Sequence, residues 1–429
     1  MRVTQNKSWL LGTVALGALA VTASSAMAGG LEVREQSSFF QGTSFAGTAA
    51  GGSSLSSVYW NPAASSFVGS GITTDSSYSL LLLNTELTAD SAPLVGFGFD
   101  DRTTDIGHDA IVPASYAAWR FNERTVFAVS MNSPFGLTTK PDTSDWAGSY
   151  IGTTSKVFSL NVTPTVSYQI TPNISIGAGV QFQYVELKAF KTNAGVIGSA
   201  NIDGDDFGVG GVAGINITPF RGTSVGLGYR SQIEYDVDGN LESPIGNAIA
   251  GSNLPITTPD KVTLSLRQEL TPTARLLGTI EWTNWSLLDV SPVTISGGAT
   301  AALIDFGWED GWFYSLGGEY DVSNKLTVRA GVAYEESPIQ EDSARLLQVP
   351  DNNRVWASIG ATYNWSDTTK LNFAYSHVFV EDGDFERRGS AVAPTPLLTG
   401  EAESSADIIS VGLTMKMDSL FGHRSEPLK

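Results

Sequence analysis

Three histidines and no cysteine bound the chemistry open to this 429-residue chain. Nucleophilic hydrolysis needs a Ser or Asp held by a His, and without thiols both disulfides and thiolate metal sites are excluded. His108 falls in a polar loop and His423 near the C-terminus. His377 ends an amphipathic segment with Asp382 and Asp384 close by, but no serine is singled out, so it reads as an interfacial residue. Asp203-Gly204-Asp205-Asp206 suggests a calcium loop yet lacks a full ligand set, and reads as a solvated turn. Gly208-Val209-Gly210-Gly211-Val212-Ala213 mimics a dinucleotide loop, but neither a helix pattern nor a following acid accompanies it; glycines facing a plug explain it better. The expectation is no catalytic residue, no metal and no cofactor. With 44 acidic against 25 basic residues, nucleic acid is not a partner. Most of the acids fall in loops, where solvation is the plain reading. A sharper one has divalent cations bridging loop carboxylates to anionic lipid headgroups.

The residue types that remain suit binding and gating, and the elements that hold them have a regular plan. From about Thr73 onward, short amphipathic segments are joined alternately by tight and long connections. Phe121–Arg124, Thr171–Asn173, Thr218–Arg221, Thr271–Thr273, Asp321–Asn324 and Trp365–Thr368 are tight, whereas Asp90–Asp109, Asp238–Asp260 and Glu381–Ala406 are long and polar. A soluble sandwich has no reason to keep its short turns at one end; a transmembrane antiparallel β-barrel has. Leu326–Glu335 puts Leu326, Val328, Ala330, Val332 and Tyr334 on one face and Thr327, Arg329, Gly331, Ala333 and Glu335 on the other. Val225–Ser231 and Ile408–Met417 alternate likewise, as a wall between lipid and a polar lumen requires. Fourteen such strands are expected between residues 67 and 417, the even number of a bacterial barrel.

Two terminal segments stand outside the wall. Residues 1–28 read as a signal peptide, with Arg2 and Lys7, an apolar Leu10–Val21 and Ala26-Met27-Ala28. Its loss would take the formal charge from −19 to about −21. Residues 418–429 form a tail beyond the last strand, with Phe421 its one aromatic. Between leader and wall, residues 29–66 are rich in Ser, Gly and Ala, and after Glu32, Arg34 and Glu35 carry no charge. A flexible linker is one reading of that composition. Phe39, Phe40, Phe45, Tyr59 and Trp60 are costly to leave in water, so a hatch plugging the lumen explains it better. Asn61-Pro62-Ala63 closes the hatch as a hard corner, because Pro62 fixes its own φ and restricts Asn61.

Asn61-Pro62-Ala63, Leu227-Gly228-Tyr229-Arg230-Ser231, Glu281–Ser286, Arg329-Ala330-Gly331, Ser337-Pro338 and Val349–Trp356 occur in the order and spacing of one family. Across essentially the whole mature chain the sequence resembles the FadL-type outer-membrane transporters of long-chain fatty acids and hydrocarbons. The resemblance implies a fourteen-stranded, hatch-plugged barrel of the Gram-negative outer membrane. Ligand would be captured among the outer loops, pass to an inner pocket, and leave sideways where the third strand, here Arg124–Ser133, kinks. Ser133-Pro134-Phe135-Gly136 follows it directly. Ligand-binding or gating candidates are Asn61, Pro62, Ala63, Pro134, Phe135, Gly136, Lys188 and Arg230. Alternation puts Arg230 in the lumen, where an ion pair with hatch or wall carboxylates is expected in preference to ligand contact.

The basic complement expected for a fatty-acid carboxylate is thin. Tyr184–Lys188 and Ile304–Asp310 offer Glu186, Lys188, Asp305, Glu309 and Asp310. Long-chain fatty acid is therefore the first ligand expected and neutral hydrocarbon the alternative. An outer-membrane hydrolase or a general porin is more distant. The expected partners are a hydrophobic small molecule, outer-membrane lipid and lipopolysaccharide, around a monomer.

Overall fold

The computed structural model describes residues 29–92, 100–143, 145–193, 199–242, 249–387 and 397–417. The expected leader and tail lie outside the described residues. The rest is a single closed antiparallel sheet of fourteen staves. They run β1 (Ile72–Ser91), β2 (Ala110–Arg120), β3 (Thr125–Asn132, resuming at Gly136–Thr139), β4 (Ser155–Thr171), β5 (Ile174–Asn193) and β6 (Ser199–Ile217). β7 (Thr223–Arg230, then Ile233–Glu242), β8 (Ile249–Thr258, then Lys261–Glu269), β9 (Ala274–Thr283, then Val290–Ile295) and β10 (Ala299–Asp305, then Gly311–Ser323) are each interrupted once. β11 (Leu326–Glu336), β12 (Arg354–Asn364), β13 (Thr369–Val380, then Gly383–Arg387) and β14 (Leu398–Met417) complete the wall. β14 pairs with β1 from Ile72↔Met417 to Ser91↔Thr399, which closes the ring and leaves no free sheet edge at the seam.

Alternation decides what each side chain faces. Leu227, Tyr229, Leu264, Ile280, Leu316, Val332 and Ile359 are exposed on the outside, while Ser265, Thr279, Glu281, Arg329 and Ser358 are buried inside. A wall apolar outside and polar inside is suited to lipid.

Toward the long-loop end the pattern inverts. Ile233, Tyr235, Val237 and Leu254 point inward and are buried, whereas Glu234, Asp236 and Asp238 face out. This corrects the reading of Asp238–Asp260 as a polar loop. Most of it is strand, paired Ile233↔Thr258 through Glu242↔Ile249. Above the bilayer the solvent lies outside the wall, so the same period of two carries the opposite polarity.

The hatch fills the lumen. Ser37 caps a short helix, Ser38–Gln41, by accepting from the Phe40 amide at 3.2 Å. Short 3-10 turns follow at Thr48–Ala50, Leu55–Tyr59 and Pro62–Phe67. Ser44 and Phe45 adopt φ of 48° and 61°, a left-handed conformation that costs about 1–3 kcal/mol for such residues. Packing holds it there. The Phe45 ring, wholly buried, meets Trp60, Phe313 and Trp356 at 6.1, 6.5 and 5.8 Å between centroids. Gly226 and Gly228 of β7 let hatch backbone against the wall, since a Cβ on either would stand 1.8 Å from the carbonyl oxygen of Ala49 or Trp60. Of the glycines in Gly208–Ala213, Gly208 and Gly210 instead meet Ile233, Tyr235, Gln181 and Ser231, so that run does not face the hatch.

Candidate functional site

The β2–β3 ladder runs from Arg120↔Val126 to Ser115↔Met131 and stops. Among the described residues nothing continues it, so Ala110–Ala114 keep β1 on one side and have no strand partner on the other. Pro113 lies within this stretch, and proline is tolerated in a strand where no ladder partner needs its N–H.

β3 leaves the wall because its backbone finds other partners. The Val33 amide donates to the Pro134 carbonyl at 2.8 Å and the Gly136 amide to Leu31 at 3.1 Å, with a bridge between Glu32 and Phe135. Gln36, fully buried, donates to the Ser133 carbonyl at 3.0 Å and accepts from Asn132 at 2.9 Å. Ser159 of β4 donates to the Phe135 carbonyl at 2.6 Å and accepts its amide at 2.8 Å. The kink is thus an inward strand turn paired with the first hatch residues.

Apolar side chains connect both sides of this break. Phe135 meets Trp285 at 6.1 Å, Trp285 meets Trp308 at 5.3 Å, and these pack with Leu31, Leu137 and Ile233 beneath the long loops. Val33, Ala110, Val112, Ala114 and Tyr116 belong to a second cluster, with Phe40 and Trp60, deeper in the barrel. A third, with Leu87, Ile106, Trp146 and Phe385, lies in the long loops.

The corner predicted at Asn61 is built into the wall. Asn61 is fully buried; its side-chain oxygen accepts the Ala63 amide at 3.0 Å and its amide donates to Ala49 at 2.8 Å and to Ile215 of β6 at 3.1 Å. Pro62 starts the turn Pro62–Phe67, and Ala63 is fully buried. Arg230 points inward, but it finds no carboxylate. It donates to Gln181 at 2.5 Å and to the Tyr59 carbonyl at 3.0 Å, and covers the Tyr59 ring at 4.4 Å. The expected ion pair is therefore replaced by neutral acceptors of the hatch and wall. Lys188 is farther from expectation. On β5 the odd-numbered Gln181, Gln183, Val185 and Leu187 face in, so Lys188 faces out and pairs with Glu186 at 2.6 Å. It does not enter an inner pocket.

Sequence reasoning noted the hatch charges without finding their partners. Arg34 joins Glu281 at 2.8 Å and Glu335 at 3.0 Å and stacks 3.8 Å above Phe313. Lys261 holds Glu32 and lies 3.5 Å from Glu281. Arg354 approaches Glu335 at 3.8 Å and binds Asp351. Burial pulls Arg34 down, but Glu335, Glu281 and Glu32 outweigh it and hold its pKa well above the ordinary value. Glu35 differs. Both its carboxylate oxygens are buried without a hydrogen-bond partner, and burial pushes it up to about 7 despite Arg34 and Arg354 nearby. The available signal was inward-facing charge: Glu281 and Arg354 each sit inside a quoted motif, and Glu335 ends the alternating strand Leu326–Glu335; the pairing itself is three-dimensional.

His377 pairs with Asp407 at 2.8 Å on the outward face, and among the described residues no serine hydroxyl bonds to either residue.

The family model described as "Outer membrane protein transport protein (OMPP1/FadL/TodX)" matches residues 19–417. The chain belongs to this family. Outer membrane protein P1 of Haemophilus influenzae is 26% identical over 408 residues, 84% of this chain and 88% of that protein. The long-chain fatty acid transport protein of Escherichia coli K12 is 24% identical over 344 residues, covering 68% and 77%. Among solved structures, a Pseudomonas aeruginosa FadL homologue superposes with a TM-score of 0.82 at 20% identity, over 90% of this chain and 99% of that one. The Pseudomonas putida toluene transporter TodX gives 0.67 at 15%, over 89% and 98%. This FadL-family protein is accordingly a multi-pass barrel of the Gram-negative outer membrane that transports hydrophobic molecules, and not an enzyme.

Proposed function

We propose that the protein takes up long-chain fatty acids, capturing them at the outer loops and releasing them sideways through the break beside β3. The observation that carries this reading is the end of the β2–β3 ladder at Ser115↔Met131, with the β3 backbone handed to the hatch. A tail moving from the cluster around Phe135 past Val112 and Ala114 stays among apolar groups and reaches the bilayer core without entering water. Keeping it out of water is worth about 0.8 kcal/mol per methylene. The likeness to the long-chain fatty acid transport protein of Escherichia coli supports the ligand class.

A second reading, neutral hydrocarbon, is favoured by one observation. Arg34, Lys261 and Arg354 are committed to Glu32, Glu281, Glu335 and Asp351, which leaves no cation of that cluster free for a carboxylate. The likeness in fold to the toluene transporter TodX points the same way.

The route is tested by cysteines at Pro113 and Ser133, the positions that would oppose one another if the Ser115↔Met131 register were carried on. With the disulfide formed and verified, ligand capture should persist while delivery across the membrane stops. Unchanged delivery through the cross-linked protein would sink the lateral route. Growth of a deletion strain carrying this gene on fatty acids, alkanes and aromatic hydrocarbons separates the two ligand readings.

A further inference from the structure

Below the hatch, at the tight-turn end, the lumen opens as a vestibule of about 650 Å³. In a strongly acidic chain its lining is basic: Arg267, Arg275, Arg329, Lys370 and Lys416 against Glu319 and Asp321. Two of these cations are spoken for. Arg275 bonds Glu319 at 2.7 Å and Asp321 at 2.6 Å, and Arg267 lies 3.2 Å from Glu269.

The other three are matched only loosely. Arg329 is buried with its Nε and Nη1 lacking hydrogen-bond partners; Glu319 stands off at 3.6 Å, and Nη2 is turned to Thr362. Lys370 and Lys416 face the same space from β13 and β14, and among the described residues neither ammonium makes an ion pair or hydrogen bond. Asp75, buried on β1, accepts from Ser54 at 2.6 Å, and with Glu319 it offsets part of the Lys370 charge from a distance. A nearly buried guanidinium with free N–H groups costs stability unless something accepts from it. Apolar surface adjoins the cations: Phe39, 3.6 Å under the Arg329 guanidinium, and Leu55, Phe67 and Val68 of the hatch.

We infer that this vestibule is a binding site for a carboxylate-headed amphiphile, its oxyanion held by Arg329, Lys370 and Lys416 and its short tail laid on Phe67 and Val68. Two positive groups on neighbouring strands and a planar fork beside them suit an oxyanion, and the apolar shelf distinguishes an amphiphile from a bare anion. The site opens toward the periplasm and does not depend on the lateral route. Occupancy would bridge the hatch underside to β11, β13 and β14.

The experiment uses the full-length protein in detergent with a cysteine at exposed Asn324, labelled with an environment-sensitive dye; the native chain offers no competing thiol. Octanoate should shift the emission saturably, and methyl octanoate should not. The double variant Lys370→Gln, Lys416→Gln, both at less buried positions than Arg329, should weaken octanoate roughly tenfold, the loss expected of charge-assisted contacts. Inorganic phosphate should compete poorly. If phosphate binds as tightly as octanoate, the site takes a free oxyanion and the amphiphile assignment falls. An equal response to the methyl ester, or an unchanged affinity in a folded double variant, overturns the charge-based site altogether. No response of the wild-type protein to octanoate overturns it as well.

Discussion

Glu35 should make hatch seating depend on pH. Its carboxyl is fully buried, neither oxygen has a hydrogen-bond partner, and burial raises its pKa from 4.5 to about 7. A carboxyl whose folded value is raised binds its proton more tightly in the folded state. The stabilisation is therefore whole below the ordinary pKa of 4.5 and is lost as pH climbs through about 7. A shift of this size amounts to about 3 kcal/mol, or roughly a hundredfold in the hatch-opening equilibrium. Hydrogen exchange of hatch peptides, corrected for intrinsic rates and followed from pH 5 to pH 8, should show opening becoming easier by that amount. The barrel strands should show no parallel change. In Glu35→Gln the amide is neutral throughout, so the slope should shrink by the Glu35 share whatever the absolute cost of burying the amide; Asp75, bonded to Ser54 of the hatch, is unchanged in both proteins. An equal slope in both proteins would refute the assignment of this titration to Glu35, and a flat wild-type profile would refute the reasoning about burial.

Replacing Asn61 and Pro62 together by Ala removes the turn's cap and the bonds to Ala49 and Ile215, at about 2 kcal/mol. Uptake should fall while heat-modifiable gel mobility reports a normal barrel; full uptake by the assembled double mutant would contradict this. Arg230→Met should loosen the hatch first, by the loss of Tyr59 and Gln181, and weaken fatty acid and methyl ester binding alike. A selective loss of the acid at unchanged melting would give Arg230 a ligand role instead. Gly228→Val sets a side chain against the Trp60 carbonyl, so single-channel recordings should reveal a larger steady ion current than the wild-type protein gives. Lys188→Ala, outside the wall, should leave uptake within twofold of wild type, consistent with the small worth of an exposed ion pair.

Much of the architecture is local and was legible. A period of two with one apolar face determines which side of a strand meets lipid, so Leu227, Val332 and Ile409 could be assigned outward from their neighbours alone. Tight connections at Phe121–Arg124 and Trp365–Thr368 mark one end, and five aromatics in a Ser/Gly/Ala segment mark the hatch. What the chain's order does not carry is polarity relative to a boundary. Ile233 and Tyr235 alternate just as Leu227 and Tyr229 do, yet they face inward because the strand breaks at Ser231–Gln232 and resumes with its odd-numbered positions turned to the other side. Partners are equally non-local. Arg34 meets Glu281 and Glu335 across 247 and 301 residues, and Arg230 meets a hatch carbonyl where a carboxylate was expected. The break beside β3 shows the limit most plainly. Pro134 and Gly136 announce a disturbance, but whether a strand end is a turn or an opening depends on who takes its hydrogen bonds. Here Leu31 and Val33 take them, and only closure of the barrel around the hatch brings those residues to β3.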